Sequence, residues 1–343
     1  MSTTTLKVEY RQLGKSGLRV SVPIVGAMSF GSSQWGLAPW IVEADTAISI
    51  LKEAWDLGVN TIDTANVYSN GESEHIISQF MKKYNIPRHQ LIIATKCYGF
   101  VSDTSGGASR AQPGTEVERD KINQSGLSRS AIFNAVESSL TRLETPYVDL
   151  LQIHRFDPLV PVEETMKALH DLVQAGKVRY IGASSMRCWQ FAMMNEVADR
   201  HGWTRFVSMS DEYSLLYREE EREMHAYCAY NGIGVIPWAP LSGGDLARPL
   251  GTSTVRSEGF KDTPYERKIS HADRTIILRI IELAEKHGRT MGQVALSWAK
   301  NKRGGKGAVT SPIVGVNSVE RLREALVGGF ELSDEEMGYL EEP

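Results

Sequence analysis

Apolar residues along this chain recur with two periods. Short β-branched runs that stop at Gly, Pro or a charge read as buried strands; longer stretches with apolar positions three and four apart read as amphipathic helices. Val8 to Leu13 and Leu18 to Ser21 flank Gly14-Lys15-Ser16-Gly17, whose glycines suit a hairpin turn, and the hairpin is expected to plug one end of the fold. Strands are then predicted at Pro23 to Gly31, Val59 to Asp63, Leu91 to Lys96, Val148 to His154, Val178 to Ser184, Phe206 to Ser210, Gly234 to Pro240 and Pro312 to Val316. Helices are predicted at Ala44 to Leu57, His75 to Lys83, Ser128 to Leu143, Val162 to Ala175, Trp189 to His201, Glu219 to Tyr230, Thr290 to Lys300 and Ser318 to Val327, with Gly176 suited to a helix stop. Eight strand–helix units in 343 residues predict an α/β fold, a single (β/α)8 TIM barrel. Two polar, Gly-rich stretches break the rhythm, Val101 to Gly126 after the third strand and Leu241 to Asp273 after the seventh. They are expected to form long loops walling one end of the barrel.

Three successive strand patterns end in an ionisable side chain: Asp63, Lys96 and His154. In a parallel barrel the carboxyl ends of the strands share one face, so these three would meet there with Tyr68, which follows Asp63 on the loop. Each residue taken singly has a structural explanation, as an ion pair, a helix cap or a rim aromatic. Their convergence is what points to chemistry. An ammonium beside a phenol is expected to stabilise the phenolate and lower the phenol's pKa, while a carboxylate holds the ammonium in place. A neutral histidine could orient a carbonyl oxygen. Together they describe a proton-donating pocket for a carbonyl that receives electrons, which calls for a hydride source.

Composition narrows the field. With 38 Lys and Arg against 42 Asp and Glu the formal charge is −4, and there is no basic block dense enough for a nucleic-acid footprint. The three cysteines, Cys97, Cys188 and Cys228, are scattered without metal-type spacing and are odd in number, which suits a reducing compartment. The polar start Met1 to Thr5 lacks a signal design and no apolar run approaches the ~20 residues of a membrane helix. A cytoplasmic protein with a small-molecule substrate and neither nucleic-acid nor membrane partner is expected. Phe30, Trp35, Trp40, Tyr98, Phe100 and Phe156 lie where they could surround an aromatic or bulky apolar aldehyde or ketone, or pack on the rim.

The chain resembles the aldo-keto reductases nearly end to end. The resemblance rests on Gly26-Ala27-Met28-Ser29-Phe30-Gly31, Asp63-Thr64-Ala65 with Tyr68, Gly71 and Ser73-Glu74, Thr95-Lys96, Ile153-His154-Arg155, Gly182-Ala183-Ser184-Ser185 and Pro237-Trp238-Ala239-Pro240-Leu241. It is most similar to versiconal hemiacetal acetate reductase-like and aryl-alcohol dehydrogenase-like members. The resemblance implies carbonyl reduction with Tyr68 as general acid, Lys96 and Asp63 tuning it, and His154 orienting the carbonyl. It also implies a nicotinamide cofactor bound without a G-x-G-x-x-G segment. Met28 and Ser29 would line it, Ser184 would hydrogen-bond its carboxamide, Ser185 and Ser210 would also bind it, and Trp238 would stack on its ring. Leu241 and Gly243 would pass its pyrophosphate, and Asn317, Ser318, Arg321 and Glu324 its adenosine end. Arg321 would favour NADPH (and NADP+) over NADH, since a guanidinium reads a phosphate well.

Two positions depart from the family pattern. Ser210 and Asp211 stand at the end of the sixth strand, where the family usually presents Gln followed by Asn or an apolar residue. The serine is too short to replace a Gln amide, and Asp211 is expected to bring a negative charge near the carboxamide. Ala325 replaces an Asn that many members place against the adenine. Two other readings share parts of this pattern: a regulatory subunit of the potassium-channel β-subunit type, which the short N-terminus here disfavours, and a Schiff-base aldolase using Lys96.

Overall fold

The computed structural model describes residues 8–33, 40–102, 119, 121–263, 266–302, 309–326 and 328–343. Trp35, the N-terminal Met1 to Thr5, Val327 and most of the Val101 to Gly126 insertion lie outside the described residues.

A two-stranded antiparallel hairpin, β1 (Glu9–Gln12) and β2 (Arg19–Val22), opens the fold in the register Glu9↔Val22 to Gln12↔Arg19. Eight parallel strands follow: β3 (Ile24–Gly26), β4 (Thr61–Asp63), β5 (Ile92–Cys97), β6 (Val148–Ile153), β7 (Val178–Ser184), β8 (Ser208–Ser210), β9 (Gly234–Val235) and β10 (Ile313–Gly315). They pair in the order β10-β3-β4-β5-β6-β7-β8-β9. The ring is drawn together between β9 and β10 by Thr310 N donating to Val235 O at 2.7 Å and Ile313 N to Pro237 O at 2.8 Å. The (β/α)8 barrel expected from the pattern is the observed fold, and the hairpin is where it was placed.

Outside the strands lie α1 (Ala44–Asp56), α2 (Glu72–Lys83), α3 (Arg129–Leu143), α4 (Val162–Gln174), α5 (Cys188–His201) and α6 (Met224–Asn231). After β9 come α7 (Val255–Phe260), α8 (His271–His287) and α9 (Met291–Asn301), and after β10 come α10 (Val319–Ala325) and α11 (Asp334–Glu341). Several elements differ from the sequence reading, which predicts no helix for α11 or for the body of α8 beyond Asp273. The loop predicted from Leu241 to Asp273 contains α7 and the start of α8, whose Ser270 and Asp273 form a reciprocal cap. The helix expected from Glu219 to Tyr230 is a single tight turn, Glu219–Glu221, followed by α6. The seventh barrel strand keeps only Gly234 and Val235, because Pro237 and Pro240 have no N–H for a ladder.

Two apolar cores divide the work of burial. The larger lies between the strands and the helices, and the smaller fills the barrel's floor with Ile24, Ile92, Ala94, Leu150 and Ile313 from the strands, Ile236 just after β9, and Leu13 and Val20 from the hairpin. Strand alternation sets what lies above that floor. On β5, Ile92 and Ala94 face inward, so Lys96 does too; on β6, Leu150 is followed inward by Gln152, and His154 lies one step further. The polar residues thus form the layer at the carboxyl ends of the strands, where barrel sites lie.

Candidate active site

Asp63 ends β4, and the chain then turns through Ser69, Asn70 and Gly71 with φ of 46°, 54° and 94° before entering α2. At Gly71 a Cβ would meet Arg142 Cδ at 2.7 Å, so the left-handed turn and the close packing both require glycine. Glu74, fully buried, fastens this turn by accepting from Thr95 Oγ1 at 2.6 Å and Arg142 Nε at 2.8 Å. Ser73 Oγ lies 2.8 Å from Thr64 Oγ1 and donates to Ala27 O at 2.9 Å. Asn70 exchanges hydrogen bonds with the Ser102 backbone at 2.8 and 2.9 Å, tying the start of the first insertion to the same turn. The Ser73-Glu74 part of the motif therefore holds Tyr68 in place.

The four candidate residues come together. Lys96 Nζ donates to Asp63 Oδ1, to Thr64 O at 3.0 Å and to Tyr68 OH at 3.4 Å. Gln152, unremarked in the sequence, donates from Nε2 to Asp63 Oδ2 at 2.9 Å, so both carboxylate oxygens are engaged. The Tyr68 and His154 rings meet edge to face, centroids 6.0 Å apart. Asp63 and Lys96 are buried, while Tyr68 and His154 are enclosed except where an edge reaches the cavity.

Burial sets the electrostatics. Desolvation raises the Tyr68 phenol above its ordinary value, and the opposing pull of Lys96 is the smaller effect, so the expected lowering of its pKa does not hold in the resting site. Burial also opposes the Lys96 charge, but Asp63 and then Tyr68 outweigh it and hold the ammonium above its ordinary range. Burial, helped by the Lys96 and Arg155 charges, drops His154 well below its usual value, leaving a neutral imidazole at pH 7.

A cavity of ≈660 Å³ opens above this layer and extends along one wall of the barrel mouth. Met28, Ser29, Ser184, Trp238, Leu241, Gly243, Asn317 and Arg321 line it, together with the four candidates. Ser185, Ser210, Ser318 and Glu324 do not. Ser185 Oγ accepts from Trp238 Nε1 at 3.0 Å, and Ser210 O accepts from Ser184 Oγ at 2.7 Å. Ser318 caps α10 by accepting from Arg321 N at 3.2 Å, and Glu324 Oε1 faces Gly292 of α9. The three serines support the lining from behind, and Glu324 adds a negative charge near Arg248. Three guanidiniums to which the sequence reading gave no role also line the cavity: Arg155, from the His154 motif, Arg248 and Arg256. Arg248 sits beside Gly244 and close enough to Arg321 that burial and then that neighbour's charge lower its pKa. Arg256 lies over the Trp40 ring at 5.3 Å, and of the described aromatics proposed to surround a substrate Trp40 alone is among the lining residues. Phe30 and Phe100 are buried in the body of the fold.

Asp211 departs from its expected place. On β8 the inward positions are Ser208 and Ser210, so the next residue points to the helix side, where Asp211 Oδ2 meets His225 Nε2 at 3.1 Å with both side chains buried. No negative charge from this residue enters the cavity. The described helices include none long and apolar enough to cross a membrane.

Comparison with known proteins agrees with the geometry. An aldo-keto reductase of Fusarium vanettenii is 51% identical over 99% of this chain and 92% of its own length. Versiconal hemiacetal acetate reductase of Aspergillus parasiticus is 44% identical over 98% of this chain and 97% of its own. A putative aryl-alcohol dehydrogenase of Schizosaccharomyces pombe is 44% identical over 97% and 95%. The model of the Aldo/keto reductase family matches residues 24–343, and the chain belongs to that family.

Proposed function

We propose that this protein reduces an aldehyde or ketone to the alcohol at the expense of NADPH, with Tyr68 giving the proton. The observation that carries the reading is the contact of Lys96 Nζ with both Asp63 and Tyr68 OH at the floor of a cavity whose other arm is lined by guanidiniums. The lining fits a nicotinamide dinucleotide. Trp238 offers a flat indole pinned by its hydrogen bond to Ser185, and the left-handed run Ser242-Gly243-Gly244 brings backbone to the cavity wall without side-chain bulk. Arg248 and Arg321 together supply two positive charges for a phosphate, and Ser184 is held ready for a carboxamide. When bound, the dihydronicotinamide supplies the hydride.

The protein's own groups handle the proton. His154, neutral, hydrogen-bonds the substrate oxygen and fixes its direction. Tyr68 stays protonated at rest, because burial disfavours its anion. It gives up its proton as negative charge builds on the substrate oxygen, and the Lys96 ammonium is in place to stabilise the phenolate left behind. Asp63 and Gln152 hold that ammonium in position. The Schiff-base reading fits poorly: an imine-forming lysine must be neutral, and Asp63 keeps this amine protonated. Tyr68→Phe tests the proposal. NADPH oxidation with an aldehyde should fall ~100-fold or more, while quenching of tryptophan fluorescence still reports NADPH binding. Retention of most of the activity would overturn the assignment.

A further inference from the structure

The charges around the reacting end of the cavity do not cancel. Asp63 and Lys96 neutralise each other, and His154 is neutral. Arg155 adds a positive charge that meets no carboxylate in an ion pair among the described residues. The nearest acid in sequence, Asp157, is occupied otherwise: Oδ2 accepts from Leu127 N at 2.8 Å and Oδ1 from Leu159 N at 3.0 Å. The groups whose charge states couple to Arg155 are the phenols Tyr68 and Tyr98, and its side chain is open to solvent at the cavity's mouth. An arginine at the mouth of the cavity, coupled to the proton-donating tyrosine and paired with no carboxylate of the protein among the described residues, leaves its guanidinium available to an anionic substrate.

We propose that Arg155 binds a carboxylate of the substrate and that the substrate is a 2-oxo acid, an inference that rests on the carbonyl-reductase reading above. The spacing favours a carboxylate bonded directly to the reacting carbon. Arg155 follows His154 in the chain, and one of its terminal nitrogens donates to His154 O at 2.6 Å, folding the guanidinium back onto the strand end that carries the imidazole. Arg155 shares the cavity lining with Tyr68 and His154 and lies close enough to Tyr68 for their charges to couple, so a carbonyl at the one and an anion at the other suit neighbouring atoms of one small substrate. The remaining N–H groups of the guanidinium present a planar fork, which matches a carboxylate with two parallel hydrogen bonds. The hydride from NADPH adds to C2, the C=O π pair takes the Tyr68 proton, and a 2-hydroxy acid leaves with its carboxylate unchanged.

Phenylglyoxylate and its methyl ester share one skeleton and differ in the charge, so their kcat/KM ratio with NADPH reports recognition of the carboxylate, and 4-nitrobenzaldehyde serves as the neutral reference. The acid should be preferred to the ester. In Arg155→Leu the acid-to-ester ratio should fall by roughly 10- to 100-fold, the range for losing a hydrogen bond to a charged group, and Arg155→Lys should restore part of it. Benzoate should inhibit the native protein competitively and the leucine variant much more weakly, a readout independent of turnover. Preference for the ester, or equal losses on acid and ester in Arg155→Leu, would overturn the proposal while the reductase reading stood on activity toward 4-nitrobenzaldehyde. Failure to oxidise NADPH with any of the three would sink that reading and this one with it.

Discussion

Arg321→Ala separates the two nicotinamide cofactors, because only one of them carries a phosphate on the adenosine ribose. Two unit charges 4 Å apart attract by about 4 kcal/mol at an effective dielectric of ~20. Arg321 is exposed at the start of α10, so water and salt remove much of this and ~1.5–2 kcal/mol should remain, at the low end for a hydrogen bond to a charged group. That corresponds to roughly a 10- to 30-fold rise in the Kd of NADPH. NADH, lacking the phosphate, should change by no more than about twofold. Arg248 refines the expectation. Its charge is opposed by burial and by Arg321, so removing one guanidinium relieves repulsion on the other and the two losses should not add. A double-mutant cycle of Arg248→Ala and Arg321→Ala, with Kd from tryptophan quenching, measures that coupling. Raising the salt concentration should shrink the gap between cofactors in the native protein more than in the variant. Equal weakening of NADPH and NADH by Arg321→Ala would show that this residue does not read the phosphate.

Two further outcomes follow from the buried groups. On the proposed mechanism reduction requires Tyr68 protonated and His154 neutral; burial raises the first pKa and lowers the second, so both shifts would widen the active range. The pH profile of kcat/KM for reduction should be flat from about 6.5 to 10, the two ordinary values, falling only outside them; a descending limb centred between 7 and 8 would contradict the assignment. Asp211→Ala leaves His225 Nε2 buried without its partner, a loss of ~1–3 kcal/mol that in a chain of this length should lower Tm by about 1–4 °C. NADPH affinity should be little changed, and an unchanged Tm with a much weakened cofactor would show that Asp211 faces the cavity after all.

The strand ends were legible because barrel strands announce themselves twice, by a β-branched apolar run and by the charge at which the run stops. Asp63, Lys96 and His154 each break such a run, and a shared face follows from parallel strands alone. Gln152 shares the face of His154 by the two-residue period of a strand, but nothing in the sequence says that its amide holds Asp63. Arg248 and Arg256 sit in a stretch whose Gly, Pro and Ser content reads as loop, although the Ser270 to Asp273 cap was a local signal that a helix begins there. The direction of the Tyr68 pKa could not be read from neighbours in sequence, because it depends on burial outweighing Lys96. The side taken by Asp211 follows from counting inward positions along β8, but only once the ends of that strand are known.

The place where the barrel ring closes has a consequence for how the site comes into being. Asp63, Tyr68, Lys96, His154 and Arg155 all belong to the first half of the chain, whereas the facing wall, Trp238 to Leu241 and Ile313 to Asn317, straddles the junction between β9 and β10. That junction is made by single backbone hydrogen bonds, Thr310 to Val235 and Ile313 to Pro237, with Ile24 N donating to Pro312 O on the other side at 3.0 Å. A nascent chain released as far as α4 already carries every group that would handle the proton, yet has no cavity in which to use it. Competence arrives last, when the final strand slots between the seventh and the first, so the act that completes the fold is also the act that builds the second wall of its active site.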